Sequence, residues 1–215
     1  EGNLAPDGVS MRTGYCVGPD GTAAHLSGRP CIRRGRVTGA LEVCMSSRAN
    51  QLADRIEEGA ALLAAVAQEL TPEQWSTPVR PDGRTVGVIV HHVANMYPIE
   101  LDVVRAALAH DVISDVTWDV VAGINAAHAA EHAGVTKEAA LSLLAQNSAA
   151  AAREVRGFSD ADLDRAVPFS LSYDAPVTVQ YIIEDHPMRH PWHHLARIQR
   201  TLGIRVIRRT SVAAA

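Results

Sequence analysis

The stretch VTVQYIIEDHPMRHPWHHLARIQRTLG, residues 177–203, decides how this chain is read. On a helix, residues three and four apart share a face. One stripe through the segment runs Val179, Ile183, His186, His190, His194, Ile198 and Leu202. It is aliphatic at both ends with imidazoles in its middle. The pattern predicts a helix from about Val177 to Leu202, stopped by Gly203, whose histidines face a protein interior. Imidazoles buried without partners would each cost about 1–3 kcal/mol in lost hydrogen bonding, a penalty that a shared cation relieves. Pro187 and Pro191 complicate the helix: each lacks a backbone donor and crowds the preceding turn. The helix must therefore kink there or restart with Pro191 in its first turn.

Three more long helices follow from periodicity and punctuation. The first runs from about Ser47 to Leu70, with Leu52, Ile56, Leu63, Val66 and Leu70 on its apolar side and Thr71-Pro72 as its stop. The second runs from Thr85, after the turn-rich RPDGR, to about His110, with Pro98 as a site for a kink. The third begins near Thr136, which caps it, and ends at Gly157. Hydrophobic residues make up 47% of the chain and aromatics only 4%, so the core must be Ala, Val, Leu and Ile in closely packed helices. The fold class is all-α. The second and third helices are joined by about 25 residues with a helical piece at about Trp118–His132, which points to a four-helix bundle with one long crossover rather than simple up-down order. AVPFSLSYDAPVTV, residues 166–179, reads as an extended connection rather than a sheet.

The second helix repeats the histidine pattern. Val88, His92, Met96, Ile99 and Val103 trace a mostly apolar stripe with one histidine inside it, while His91 is turned about 100° away. Two imidazoles at i and i+4 on one helix, His190 and His194, and one from a facing helix, His92, form a three-ligand metal site with coordination positions left open. His186 reads as pocket-lining or as a supporting group, although it could be a fourth ligand in a closed structural site. His193 lies off the stripe and faces solvent. Glu100, Glu184 and Asp185 are candidate partners of the ligand rings. HAAEH, residues 128–132, has the HxxEH form of one class of zinc proteases, but its short, glycine-flanked setting suits a cap on the cavity or a solvent-facing segment better. Asn125, His128 and Trp118 are candidates for a pocket mouth.

Residues 1–44 are glycine-rich, lack a sustained apolar period and are expected to be a disordered N-terminal extension; a docking tail using its cysteines is the rival. Met45 reads as a natural start, residues 45–205 as the metal-binding bundle and 206–215 as a C-terminal tail. Cys16, Cys31 and Cys44 all precede the bundle and match no common zinc spacing, so the bundle holds neither a disulfide framework nor a CxxC centre. A formal charge of -4 and a pI near 6.2 argue against nucleic acid as the main partner. No apolar run is long enough for a spanning helix, so no membrane partner and a cytoplasmic location are expected. No GxSxG elbow, Walker loop or dinucleotide fingerprint is present.

The run TVGVIVHHVANMYPIE, residues 85–100, and HPWHHLARIQRTLG, residues 190–203, resemble the DinB-like superfamily, which includes mycothiol-dependent maleylpyruvate isomerase N-terminal domains and bacillithiol transferases. The resemblance covers about residues 46–203. It implies a four-helix bundle with a long crossover after the second helix, and a divalent metal, often zinc or nickel, held by three side chains. Carried onto this chain, these are His92, His190 and His194. It further implies an enzyme that activates a low-molecular-weight thiol for transfer or isomerisation, with a small-molecule thiol and substrate as partners. The isomerases have a glutamate among their ligands, so an all-histidine set places this chain nearer the general group. Only Lys137 of the 20 basic residues is lysine and alanine is abundant, as in translated high-GC genomes, which makes mycothiol the first co-substrate to expect. The alternative is a non-catalytic, metal-binding or stress-associated bundle acting as a homodimer.

Overall fold

The computed structural model describes residues 47–204. The expectations for residues 1–44 and 206–215, including those for the three cysteines, lie outside the described residues. In chain order the elements are α1 (Ser47–Glu69), α2 (Pro72–Trp75), α3 (Val86–Ala109), α4 (Trp118–Glu131), α5 (Lys137–Arg156), α6 (Asp160–Asp164), strands β1 (Ala166–Phe169) and β2 (Ala175–Thr178), α7 (Val179–Ile183) and α8 (Arg189–Leu202). A π-helical turn, Glu184–Met188, joins α7 to α8. No described helix is long and apolar enough to cross a membrane.

Threonine sets several helix starts. The hydroxyls of Thr85, Thr117, Thr136 and Thr178 each accept a hydrogen bond from the backbone N–H three residues on, satisfying one of the donors that a helix start leaves unpaired. Gly203 ends α8 at φ 65°, the left-handed conformation that glycine adopts without steric cost. Pro98 sits inside α3, which continues past it to Ala109.

The bundle is formed by α1, α3, α5 and the composite α7–α8. α5 packs against both α1 and α3, and α8 against the same two, so the long helices consecutive in sequence, α1 and α3, occupy opposite corners. The crossover containing α4 makes this order possible: it gives the chain enough length to leave α3 and return as α5 on the far side. On α1, Leu52, Ile56, Leu63 and Val66 are buried, with Ala49, Ala53, Ala60 and Ala67 between them. Ala140, Ala151 and Ala152 of α5 are buried too, and small side chains on both helices let the backbones approach closely. Tyr97 and Phe169 are the largest fully buried side chains.

Two expectations are corrected. Residues 166–179 form an antiparallel hairpin, with Ala166 facing Thr178 and Phe169 facing Ala175. Pro168 opposes Pro176, so the two residues that lack a backbone N–H share one rung, and Val167 and Phe169 turn into the core on alternate positions. Tyr173 and Asp174, both at positive φ, supply the reversal. The fourth helix consequently starts at Val179, not Val177, which belongs to β2. At the prolines the helix does not end: the backbone stays right-handed helical from Ile183 to Arg189 and widens to a π turn over Glu184–Met188. Pro187 lies in the π-helical turn and Pro191 in the first turn of α8, where a missing N–H costs least.

Candidate metal centre

α3 and α8 bring His92, His190 and His194 together. Each offers one ring nitrogen, and these nitrogens all lie within 4.8 Å of one another. The ring of His92 stands edge-on to His190 and His194, at centroid separations of 4.9 and 5.4 Å. His190 and His194 are one helical turn apart, 4.8 Å between centroids, because α8 runs unbroken through them. His92 and His194 are buried, 3% and 4% exposed, and Nδ1 of all three rings is buried without a hydrogen bond. Burial disfavours the imidazolium: it pushes His92 down to about 2 and lowers His194 as well, with repulsion from neighbouring rings adding to the effect. Neutral imidazoles with free ring nitrogens are the form that binds a cation, and an all-imidazole donor set suits zinc, nickel, copper or cobalt. The residues therefore fit a divalent metal.

Of the three candidate carboxylates, Glu100 is the one at the cluster. Two helical turns along α3 from His92 and 6% exposed, it brings Oε1 to 2.8 Å from His190 Nδ1. The approach lies off the direction of a ring N–H bond, so Nδ1 gains an ionic neighbour without a formal hydrogen bond. Glu184 accepts from Gln180, and Asp185 pairs with Arg189 at 3.0 Å. His186 lies on the wall of the adjoining cavity, edge-on to Phe169, outside the cluster. His193 is exposed, as its place off the stripe predicts.

A cavity of about 490 Å³ opens beside the triad. Met96, Ile99 and Val103, the stripe that continues from His92, line it together with Phe169 and Leu171 of the hairpin segment and Trp118 and Asn125 from α4. The sequence missed a part-buried charge cluster at this cavity. Asp82 takes two hydrogen bonds from Arg84, 2.6 and 2.7 Å long, and lies 3.7 Å from Arg197. Although burial opposes it, this pairing with Arg84 holds the Asp82 carboxyl below its usual range. Arg84 Nη1 is buried without a partner. RPDGR reads as a turn, and nothing local in it tells that its charges enter a cavity.

A second cluster corrects another reading. HAAEH does not line the cavity and faces water only in part: Glu131 is exposed and His132 partly so, but His128 is buried, and with His132 it converges on His91 from α3. His91 Nδ1 and His128 Nε2 are 2.8 Å apart. Burial, then repulsion from His132 and His91, pushes His128 down to about 4. The HH dipeptide was the available signal, since residues 100° apart on a helix can each enter a different cluster.

The comparisons agree with this architecture. Among solved structures, the chain is similar to one described as "YfiT from Bacillus subtilis is a probable metal-dependent hydrolase with an unusual four-helix bundle topology". The two are 19% identical, and the alignment covers 80% of this chain and 95% of that chain at a TM-score of 0.60, a likeness of fold. No curated protein matches the chain. The model of the DinB superfamily matches residues 55–198, more than half of the sequence and a span that includes both histidine clusters. A bundle with its consecutive helices α1 and α3 at opposite corners, matched over that span, belongs to the DinB superfamily.

Proposed function

We propose that the cavity is the active site of a metal-dependent enzyme in which His92, His190 and His194 hold a divalent cation, zinc or nickel, and a small thiol is the nucleophile. One observation carries this reading: three imidazoles from two helices converge at the wall of a 490 Å³ cavity, and His186 stays outside their cluster. A purely structural site would be closed by four protein ligands, whereas a three-ligand site leaves positions for reactants. When bound, the cation supplies Lewis acidity that makes a thiol or water nucleophilic near neutral pH.

The chain's own residues do the rest. Glu100 holds the His190 ring in place. Met96, Ile99, Val103 and Phe169 give the cavity an apolar wall that excludes water. The unpartnered Nη1 of Arg84 offers a buried positive charge to an anionic group of the substrate. Mycothiol is the first thiol to test, on the composition of the chain, and the reaction is a transfer or isomerisation. Water in place of thiol gives the second reading, favoured by the description of YfiT as a probable metal-dependent hydrolase.

Elemental analysis of purified protein beside His92→Ala and His194→Ala is expected to show each variant one equivalent of zinc or nickel short of wild type. Titration of loaded wild type with a panel of low-molecular-weight thiols and electrophiles is expected to give turnover that both variants lack. Full metal content in both variants overturns the ligand assignment. Turnover of esters or amides with water alone, and none with any thiol, replaces transfer by hydrolysis.

A further inference from the structure

We propose that His91, His128 and His132 hold a second divalent cation, which staples the crossover helix α4 to the bundle. Three ring nitrogens, one from each residue, lie within 4.8 Å of one another. The rings are compact as a group: His91 lies 4.1 Å from His132 and 5.1 Å from His128, and those two lie 4.7 Å apart. His128 and His132 stand four residues apart at the end of α4, where His132 is the cap residue and donates its backbone N–H to the His128 carbonyl. That spacing presents two imidazoles in one direction, and His91 meets them from α3.

The competing explanation is a hydrogen-bonded pair of histidines, since His91 Nδ1 and His128 Nε2 are 2.8 Å apart. That bond accounts for two nitrogens only. It gives no role to the His132 ring, which packs closest to His91. A cation uses one nitrogen from each of the three rings. Imidazole ligation selects zinc, nickel or cobalt over magnesium or calcium. Access comes from outside the cavity, because His132 is about one-third exposed and none of the three residues lines the cavity. Glu131, with Oε2 3.9 Å from His132 Nε2, stands on the exposed side.

The packing of α4 shows what such a cation would do. Among the 14 residues of α4 the buried one is His128. The helix has no apolar face sunk into the core, yet its Trp118, Val121 and Asn125 form part of the cavity wall. An element held by so little buried area is the one that a metal cross-link stabilises most. His92 and His128 rings meet edge-on at 5.5 Å, so the two clusters share a wall and the stapled helix ends beside the first site.

The test is metal stoichiometry, read with amide hydrogen exchange over residues 118–131. Metal-free protein titrated with Zn²⁺ is expected to bind two equivalents, His132→Ala and His132→Gln one each, and His194→Ala one. The second equivalent is expected to slow exchange in α4 at least tenfold in wild type and not in the His132 variants, whose circular dichroism should match wild type. Two equivalents in both His132 variants, or no change in α4 exchange on loading wild type, overturn the proposal. One equivalent in wild type separates the sites: its loss in His194→Ala but not in the His132 variants overturns this proposal alone. The opposite pattern supports it and overturns the metal assignment at His92, His190 and His194.

Discussion

Glu100 places a carboxylate inside an aliphatic helix bundle, a position that would be unfavourable without a basic neighbour, and His190 Nδ1 is that neighbour at 2.8 Å. Beside a metal-bound imidazole a carboxylate would orient the ring and strengthen its donation to a cation on the other nitrogen. Glu100→Gln keeps the shape and removes the charge. It is expected to weaken zinc binding about 10–100-fold, with a melting temperature for the metal-free protein close to that of wild type. Unchanged affinity in a competitive chelator titration would show that the carboxylate plays no part. At this scale much was legible: the spacing of His190 and His194 and the single histidine on the α3 stripe identified the triad, because helical periodicity is local. The choice among Glu100, Glu184 and Asp185 was not, since it depends on which carboxylate the tertiary fold brings to a ring.

The site is built between α3 and α8, and α8 also packs on α1, where Gly59 lies against it. A Cβ at position 59 would meet Trp192 Nε1 at 2.7 Å and the Pro191 Cγ at 2.9 Å, both stiff rings in the first turn of α8. Gly59→Ala therefore pushes on the turn that separates His190 from His194. It is expected to cost about 1–3 kcal/mol, seen as a lower urea midpoint at unchanged slope, and to weaken zinc binding. Equal stability would show that α8 shifts to accommodate the added methyl group. Helix ends were readable because their caps are local side chains such as Thr85, Thr136 and Gly203. The hairpin was not, because Val167 and Phe169 earn their places only by facing a core assembled from distant helices.

Across the molecule, four histidines of the two adjoining clusters, His91, His92, His128 and His194, are buried and held towards the neutral form, and the sign of the consequence is fixed. Burial lowers His92 to about 2 and His128 to about 4 from an ordinary 6.5, so the folded metal-free protein binds fewer protons than the unfolded chain between these values. Stability is then complete above about pH 6.5 and is lost as pH falls towards 4, by up to about 1.4 kcal/mol per pH unit for each such histidine. Chemical denaturation of chelator-treated protein at pH 7.5, 6 and 5 checks this, and a flat profile would contradict it. Loading with zinc at 100 times its dissociation constant should add about 2.7 kcal/mol for one site, roughly 5–10 °C in melting temperature. By itself the sequence determined the long helices and which histidines share an apolar stripe, because apolar period, caps and His spacing act within a few residues. Only the tertiary structure decided the diagonal placement of α1 and α3, the part-buried Asp82–Arg84 pair and the meeting of His91 with His128 and His132. Those depend on how far the crossover carries the chain, and that distance is set by packing between elements far apart in sequence.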